Sequence, residues 1–368
     1  MMRPKKGAPD FLLFITVLML LSIGVIMVLS ASEYSTLVRY HDSFLFFKRQ
    51  LVWAVLGLTA MFVAMNFDYW RLKQYAGWML VGAFLLLLLV LIPGVGVESH
   101  GARRWIGVGS FTFQPSELVK LCVITFTAFG LAKKRDQIRS FTKGVLPFLI
   151  VAGLAGGLIL LQPDLGTAMT LVGTVFLMLF AAGTPMRVLG SLGIIGVALV
   201  GAAIYFEPYR LKRLLAFLDP WQDPQGSGFH IIQSLYALGS GGLFGTGLGQ
   251  GKQKFLYLPE QHTDFIFAVI GEELGFVGAT LIIILFMLFV WRGLRIAVAS
   301  PDPFASLLAT GITGGIVLQA IINIGVVTGS LPVTGITLPF ISFGGTSLLF
   351  TLIGVGILLN VSKYAVNR

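Results

Sequence analysis

Charged side chains are scarce in this sequence, and cysteine is nearly missing. Asp, Glu, Lys and Arg make up only 11% of the 368 residues, against roughly 25% in an ordinary soluble domain. Hydrophobic residues account for 56%. A chain of this size with so little charge cannot cover itself with a wettable surface, so a soluble domain is excluded and a polytopic membrane protein is expected. The single cysteine, Cys122, sits in an apolar run, which rules out an intramolecular disulfide and a thiolate metal cluster. Histidine is also sparse: His41, His100 and His230 are scattered without metal-ligand spacing. The formal charge of +10 suits anionic lipid head groups or a phosphorylated lipid substrate. The basic segments carry no nucleic-acid motif.

What the chain has in abundance is apolar runs. Windows near 11-31, 50-67, 76-95, 114-132, 145-163, 166-183, 187-206, 264-291, 304-328 and 345-362 each approach the ~20 residues a helix needs to cross hydrocarbon. The expected fold is therefore an all-α bundle of ten transmembrane helices, read as one domain over 1-368. Phe11 to Leu29 is too long for a signal-peptide core and is read as a retained first helix. With the N-terminus inside, fifteen Lys and Arg fall in inner segments and five in outer short loops, which predicts both termini in the cytoplasm. KKRDQIR at 133-139 reads as an orientation signal.

One outer connection, 207-263 between the seventh and eighth spans, is far longer than a bundle requires. Its aromatic and apolar content predicts an ordered segment folded back on the membrane surface. Within it, LGSGGLFGTGLGQG at 238-251 is glycine-rich. No strand precedes it, so a nucleotide-binding loop is disfavoured and tight turns or close contact with a ligand are expected.

Ionisable side chains inside spans are costly and tolerated mainly when paired or lining a cavity. Glu117 and Lys120 in FQPSELVKLCV share one helix face and predict an ion pair. Gln162 and Asp164 in LLQPDLGT sit at a proline-broken junction. Either pair reads as a lock between helices or as the wall of a polar cavity. Arg103, Arg104 and Trp105 in GARRWIGVG stand at the outer rim, as does YRLKR at 209-213 with Arg210 and Arg213. Tryptophan and arginine there are ordinary interfacial anchors, and guanidinium forks equally suit phosphate. GSLPVTGITLPFISFGGTS at 329-347 has too many Pro and Gly for one helix. It predicts an irregular loop lined by Thr334, Ser342, Thr346 and Ser347, which at membrane depth needs protein or a cavity around it.

The chain is organised around FLYLPEQHTDFIFAVIGEELG at 255-275, where Glu260, His262, Thr263 and Asp264 crowd the mouth of a span that carries Glu272 and Glu273. Thr263 or Asp264 capping that helix is the plain reading. Proton transfer at a membrane surface is the other, with His262 expected to hydrogen-bond beside Asp264.

Together, PDFLL, GARRWIGVG, FQPSELVK, QPDLGT, YRLKRL, DPQGSGFHIIQS, GLGQGKQKFLYLPEQHTDFIFAVIGEELGFVG and NIGVVTGSLPVTGITLPFISFGGTS resemble the SEDS family of shape, elongation, division and sporulation proteins, which includes FtsW, RodA and SpoVE. The FtsW/SpoVE branch matches best. Ser330 and Phe343 depart from the family's common form, and neither is expected to touch the chemistry.

The resemblance implies a peptidoglycan glycosyltransferase that polymerises lipid II at the outer face of the bacterial cytoplasmic membrane. It also implies a class B penicillin-binding protein transpeptidase as partner, beside other division or sporulation membrane proteins. The family's essential acid falls on Asp264 and its conserved tryptophan on Trp105. A positioned carboxylate acting as general base suits the joining of sugars. The departing lipid pyrophosphate needs cations or a metal ion. Arg103, Arg104, Arg210 and Lys254 lie on the required side, with Glu260, His262, Thr263, Ser342 and Ser347 as further substrate contacts. Glu117, Lys120, Gln162 and Asp164 are assigned to shaping the cavity. No cofactor is specified; a divalent cation is compatible with the chemistry. Glu260 is the alternative base, and a lipid II flippase or a non-catalytic scaffold the alternative functions.

Overall fold

The computed structural model describes residues 6–99, 102–108, 111–253 and 258–365. In chain order the elements are α1 (Phe11–Tyr40), α2 (Leu45–Asn66), α3 (Tyr69–Leu91), β1 (Gly96–Ser99), β2 (Ala102–Val108), β3 (Phe111–Phe113), α4 (Pro115–Lys133), α5 (Leu146–Leu160), α6 (Leu165–Ala181), α7 (Met186–Tyr205), α8 (Pro208–Leu218), α9 (Phe229–Ser240), α10 (Ile266–Ala299), α11 (Pro303–Val327) and α12 (Gly345–Ser362). A single π turn, Phe141–Val145, leads into α5. Among the described residues nine helices are long and apolar enough to span a membrane, and α6, with 17 residues, is shorter. At 1.5 Å per residue α6 is about 25 Å long, and with its apolar sequence it makes the tenth span.

Burial sorts these helices by role. The inner helices are α4, α11 and α12, whose buried residues include polar ones such as Glu117, Gln319, Asn323 and Asn360. At the other extreme α7 buries only Leu189 and turns nearly all its apolar surface outward. That surface belongs in lipid, because hydrocarbon exerts no force to hide it.

One feature departs from the expected all-α fold: the rim segment around Trp105 is an antiparallel three-stranded sheet in the order β1-β2-β3, pairing Val97 with Trp105 and Ile106 with Phe113. The long connection at 207-263 carries two helices, α8 and α9.

The 330-344 segment has no regular structure; Pro339 to Ser342 is buried, whereas Ser330, Leu331 and Gly335 are exposed. Four of its carbonyls are satisfied by side chains from elsewhere. Arg213 donates to Val333 O (3.2 Å), Asn323 to Ile336 O (2.6 Å), Gln319 to Thr337 O (3.0 Å) and Gln50 to Ser342 O (3.3 Å). Helix α1 passes close enough that a Cβ at Gly24 would lie 2.5 Å from Phe340 O.

Helix α10 is broken at Gly275 (φ 67°, ψ −166°), and the glycine-rich loop fills the break. Phe276 N donates to Gly242 O (2.9 Å), and Thr246 N to Glu272 O (2.9 Å). The loop's close approach is to the protein's own backbone, where the sequence pointed to tight turns or a ligand, and the left-handed φ at Gly275 is one that side-chain-bearing residues avoid. The two glutamates at the break face the loop: Glu272 accepts from Lys252 N (2.6 Å), and Glu273 from Gly249 N (3.0 Å) and Ser30.

Both chain ends lie at one end of the bundle, where Gly7 N donates to Lys363 O (2.7 Å) and Asp10 pairs with Arg292. The loops bearing Glu260 to Asp264 lie at the other.

Candidate active site

At that second end a cavity of about 900 Å³ opens among α2, the sheet, α4, the α5–α6 junction, α7, α8 and the 331-347 segment. It collects residues far apart in sequence: Arg104, Trp105, Glu117, Lys120, Asp164, Arg210, Glu260, His262, Thr263, Asp264 and Ser347 all line it. Three further residues named from the sequence do not. Ser342 is buried, accepting from Leu338 N (2.8 Å) and donating to Thr263 O (2.6 Å). Gln162 is buried and donates to Leu87 O (3.4 Å). Arg103 is exposed outside the cavity. Lys254 lies outside the described residues, as does His100.

The acidic turn is held almost atom by atom. Glu260 O accepts from Thr263 N and Phe265 N, each at 3.2 Å. His262 O accepts from Phe343 N (2.9 Å), Thr263 O from the Ser342 hydroxyl, and Asp264 O from the Asn323 amide (2.7 Å). The irregular 330-344 segment and α11 thus clamp the backbone on which Asp264 rides. Its carboxylate is left free: it accepts no hydrogen bond from the described residues and faces the cavity. The plain reading of Asp264 as a helix cap fails, because Phe265 occupies the cap position of α10 and no side chain caps it.

The surroundings set the proton affinity of that carboxyl. Burial pushes its pKa up to about 7, Glu260 and Asp164 add to the rise, and Arg213 and Arg104 oppose it. A carboxylic acid titrating near neutrality is matched to general-base work.

His262 is not the hydrogen-bond partner of Asp264 expected from the sequence. Its ring lies on Phe46, with centroids 4.5 Å apart and planes 20° from parallel, and Phe343 packs beside both. Burial holds its imidazole below the ordinary histidine pKa, with Glu260 opposing and Arg39 reinforcing. Phe343, expected to stand clear of the chemistry, is part of the cavity wall. Its ring packs at a tilt against His262, with centroids 5.8 Å apart.

The cations are positioned by main-chain dipoles. Arg104 donates to Gln162 O (2.8 Å) and to Pro163 O, Arg210 to Ala203 O (3.0 Å), and Arg213 to Val333 O while lying 4.3 Å over the Tyr209 ring. A carbonyl fixes a guanidinium without cancelling its charge. The Asp164 carboxylate is 4.0 Å from Arg104 and is engaged in capping α6 through Thr167 N (3.0 Å) and the Thr167 hydroxyl (2.8 Å). Deeper, Lys120 makes the expected ion pair with Glu117 (2.9 Å) and also binds Gln319 (2.8 Å).

Free cations, a free carboxylate and an adjoining apolar wall of Val200, Ile204 and Leu214 fit an amphiphile with a phosphorylated head. Comparison with known proteins agrees with that assembly: the family model of FtsW, RodA and SpoVE, described as cell cycle protein, matches residues 10–367. This chain belongs to the FtsW/RodA/SpoVE family. Stage V sporulation protein E of Bacillus subtilis (strain 168) is 53% identical over 364 residues, covering 99% of this chain and 100% of that protein. A probable peptidoglycan glycosyltransferase FtsW of Geobacter sp. (strain M18) is 46% identical, covering 98% of each. Among solved structures, a chain of a peptidoglycan synthase complex that coordinates polymerization and crosslinking aligns with TM-score 0.80 at 34% identity, over 97% of this chain and 98% of that one. The rod shape determining protein RodA of Thermus thermophilus aligns with TM-score 0.73 at 32% identity, over 98% and 99%.

Several residues in or behind the cavity wall of this family member escaped the sequence reading. Gln319 and Asn323, one helical turn apart on α11, are costly amides in an apolar span, and that alone could have flagged them. Arg213 was visible only as part of a basic cluster. Lys48 and Arg49 entered only as orientation charges, yet both line the cavity. Among the described residues no group of three or more His, Cys, Asp and Glu comes together to hold a metal ion.

Proposed function

We propose that this protein is a peptidoglycan glycosyltransferase that polymerises lipid II at the outer face of the cytoplasmic membrane, both termini lying inside. One observation carries the assignment of the base: a free carboxylate, Asp264, on a clamped turn in a cavity whose arginines retain their charge. Asp264 takes the proton of the acceptor sugar's 4-hydroxyl as that oxygen attacks the donor's anomeric carbon. The bond to the lipid pyrophosphate breaks, and its oxygens carry away the electron pair. Arg213, Arg210 and Arg104 receive that developing charge, which is where preorganised cations accelerate group transfer. A single displacement of this kind inverts the anomeric carbon. Trp105 and Ser347 shape the sugar-binding wall, and the Glu117–Lys120 pair with Gln319 braces the floor. The partner is a class B penicillin-binding protein transpeptidase that crosslinks the strands, in division or in spore cortex synthesis.

The test is lipid II polymerisation by the purified protein with its transpeptidase, read as glycan length on a gel, for wild type and Asp264→Asn. Chains from wild type and none from the folded variant are expected. A variant that polymerises as wild type does removes Asp264 from the chemistry. A folded wild-type complex that makes no chains, yet moves lipid II between leaflets, makes the protein a flippase.

A further inference from the structure

We propose that Glu260 is a positioning residue for Asp264: anchored by Thr263 on the cavity wall, it holds a second negative charge beside the base and thereby makes that base able to take up a proton. The inference rests on the glycosyltransferase reading of the same cavity, but its own content is the coupling of two carboxylates.

The geometry shows a carboxylate deliberately held. Glu260 has φ 51°, in the left-handed region, which a residue with a side chain adopts only at a cost. The turn keeps that conformation with two backbone hydrogen bonds to Glu260 O. The Glu260 Oε2 accepts from the Thr263 hydroxyl at 2.9 Å, so the charge is fixed on the same turn as Asp264, four residues away. Both side chains line the cavity. Neither caps α10, so the charge serves no helix end.

Every element around Asp264 contributes to the balance. Its own turn supplies Glu260 and His262, whose ring is packed against Phe46 and Phe343 and kept neutral by burial. Helix α8 supplies Arg213, β2 supplies Arg104, and the α5–α6 junction supplies Asp164. Helix α9 supplies His230, which burial also holds low and which rests on the Phe265 ring. Helix α11 gives the neutral amides Asn323 and Gln319, and the 333-344 segment contains no titratable side chain. Two cations pull the proton off Asp264; Glu260 is the carboxylate that pushes it back hardest. Without it only burial and Asp164 would stand against the two arginines, and the aspartate would be a weaker base. A like charge nearby disfavours the ionised form, which is the effect required.

Glu260→Gln tests this, because its amide oxygen still accepts from Thr263 while the charge is gone. The titration of Asp264 is followed by infrared difference spectroscopy of the carboxyl stretch, assigned by its loss in Asp264→Asn, in the full-length protein without substrate. The pH profile of polymerisation is measured in parallel. The Asp264 midpoint is expected to fall by about half a pH unit or more, and the acid limb of the rate to move with it. Thr263→Val, which frees the Glu260 carboxylate, is expected to shift the midpoint in the same direction by less, and it serves alone if Glu260→Gln does not fold. An unmoved midpoint overturns the proposal. So does complete loss of polymerisation at every pH with folding and midpoint intact, which would place Glu260 in the chemistry itself. A wild type that shows the coupling yet makes no glycan defeats the glycosyltransferase reading and leaves the coupling standing.

Discussion

The two ends of this bundle handle charge in opposite ways. At the end that holds both termini, ionisable groups close on one another: Asp10 caps α1 through Leu13 N (2.9 Å) and pairs with Arg292, and Tyr364 donates to Asp68 (3.1 Å). At the cavity end Arg104, Arg210 and Arg213 are held by carbonyls, and the Asp264 carboxylate by its backbone alone. Closed pairs fasten helices. Charges fixed by neutral dipoles stay available to a ligand, and the fold bears their desolvation for that purpose. Substitutions at the two ends should therefore separate stability from activity.

The largest separation is expected at Asp264. Asp264→Asn removes the base while keeping the volume and leaving the clamp on its carbonyl in place. Polymerisation is expected to fall by roughly 10²- to 10⁴-fold, with the thermal midpoint of the purified protein no lower than wild type. At the opposite end, Asp10→Ala strips the α1 cap and leaves the Arg292 guanidinium, with 16% of its side chain exposed, without its carboxylate. A loss of about 2–3 kcal/mol is expected, read as a lower melting temperature in detergent. The specific activity of the folded fraction should hold. If Asp10→Ala lowered turnover without lowering stability, the two ends would be coupled and the contrast between them wrong.

How much of this contrast was legible beforehand follows from the range of the forces involved. The spans were readable because each is a local run of apolar residues, and the Glu117–Lys120 pair because both sit within one helical turn. Asp264 could be placed at the mouth of a span, but its freedom from capping could not, since that depends on Phe265 taking the cap position. The sheet at 96-113 went unseen because its pairing joins short segments interrupted by Gly, with no long alternating run to signal strands. The break at Gly275 was invisible for a related reason: the backbone that fills it comes from a loop about 30 residues upstream. His262 was misplaced because a polar neighbour suggests a hydrogen bond, whereas its actual partners, Phe46 and Phe343, come from α2 and the loop before α12.

A smaller effect sharpens the cavity end through pH. The Asp264 carboxyl titrates near 7 in the folded protein and near 3.9 when unfolded. As a base it must be ionised, so polymerisation should fall as pH drops through about 7. Stability runs the other way. Between the two values the unfolded chain has released a proton that the folded chain retains, so wild-type stability declines as pH rises through this window and levels off above the folded value. Asp264→Asn lacks that decline. Its stability relative to wild type should therefore grow from acid pH up to about 7 and then stay constant, measured by thermal unfolding at matched detergent and salt. A difference that shrank with rising pH would mean that Asp264 is stabilised as a carboxylate, which the free geometry of its side chain opposes.

The smallest expected effect is at Lys48, and it is informative because the residue belongs to both classes. It pairs with Asp42 at 2.9 Å, but with 64% and 37% of the two side chains exposed, and water screens such a pair until it contributes little. It also lines the cavity. If its charge serves the pair, Lys48→Ala should lower stability slightly and leave kinetics alone. If it serves the cavity, stability should stay at the wild-type value while the apparent KM for lipid II rises. That rise should shrink as salt is increased, because an exposed cation acts on an anionic substrate through a field screened over about 10 Å at 0.1 M. The second outcome is expected: Asp42 accepts from Phe44 N as well (3.0 Å), so that carboxylate keeps a partner when Lys48 is gone, whereas an anionic head group entering the cavity loses a cation.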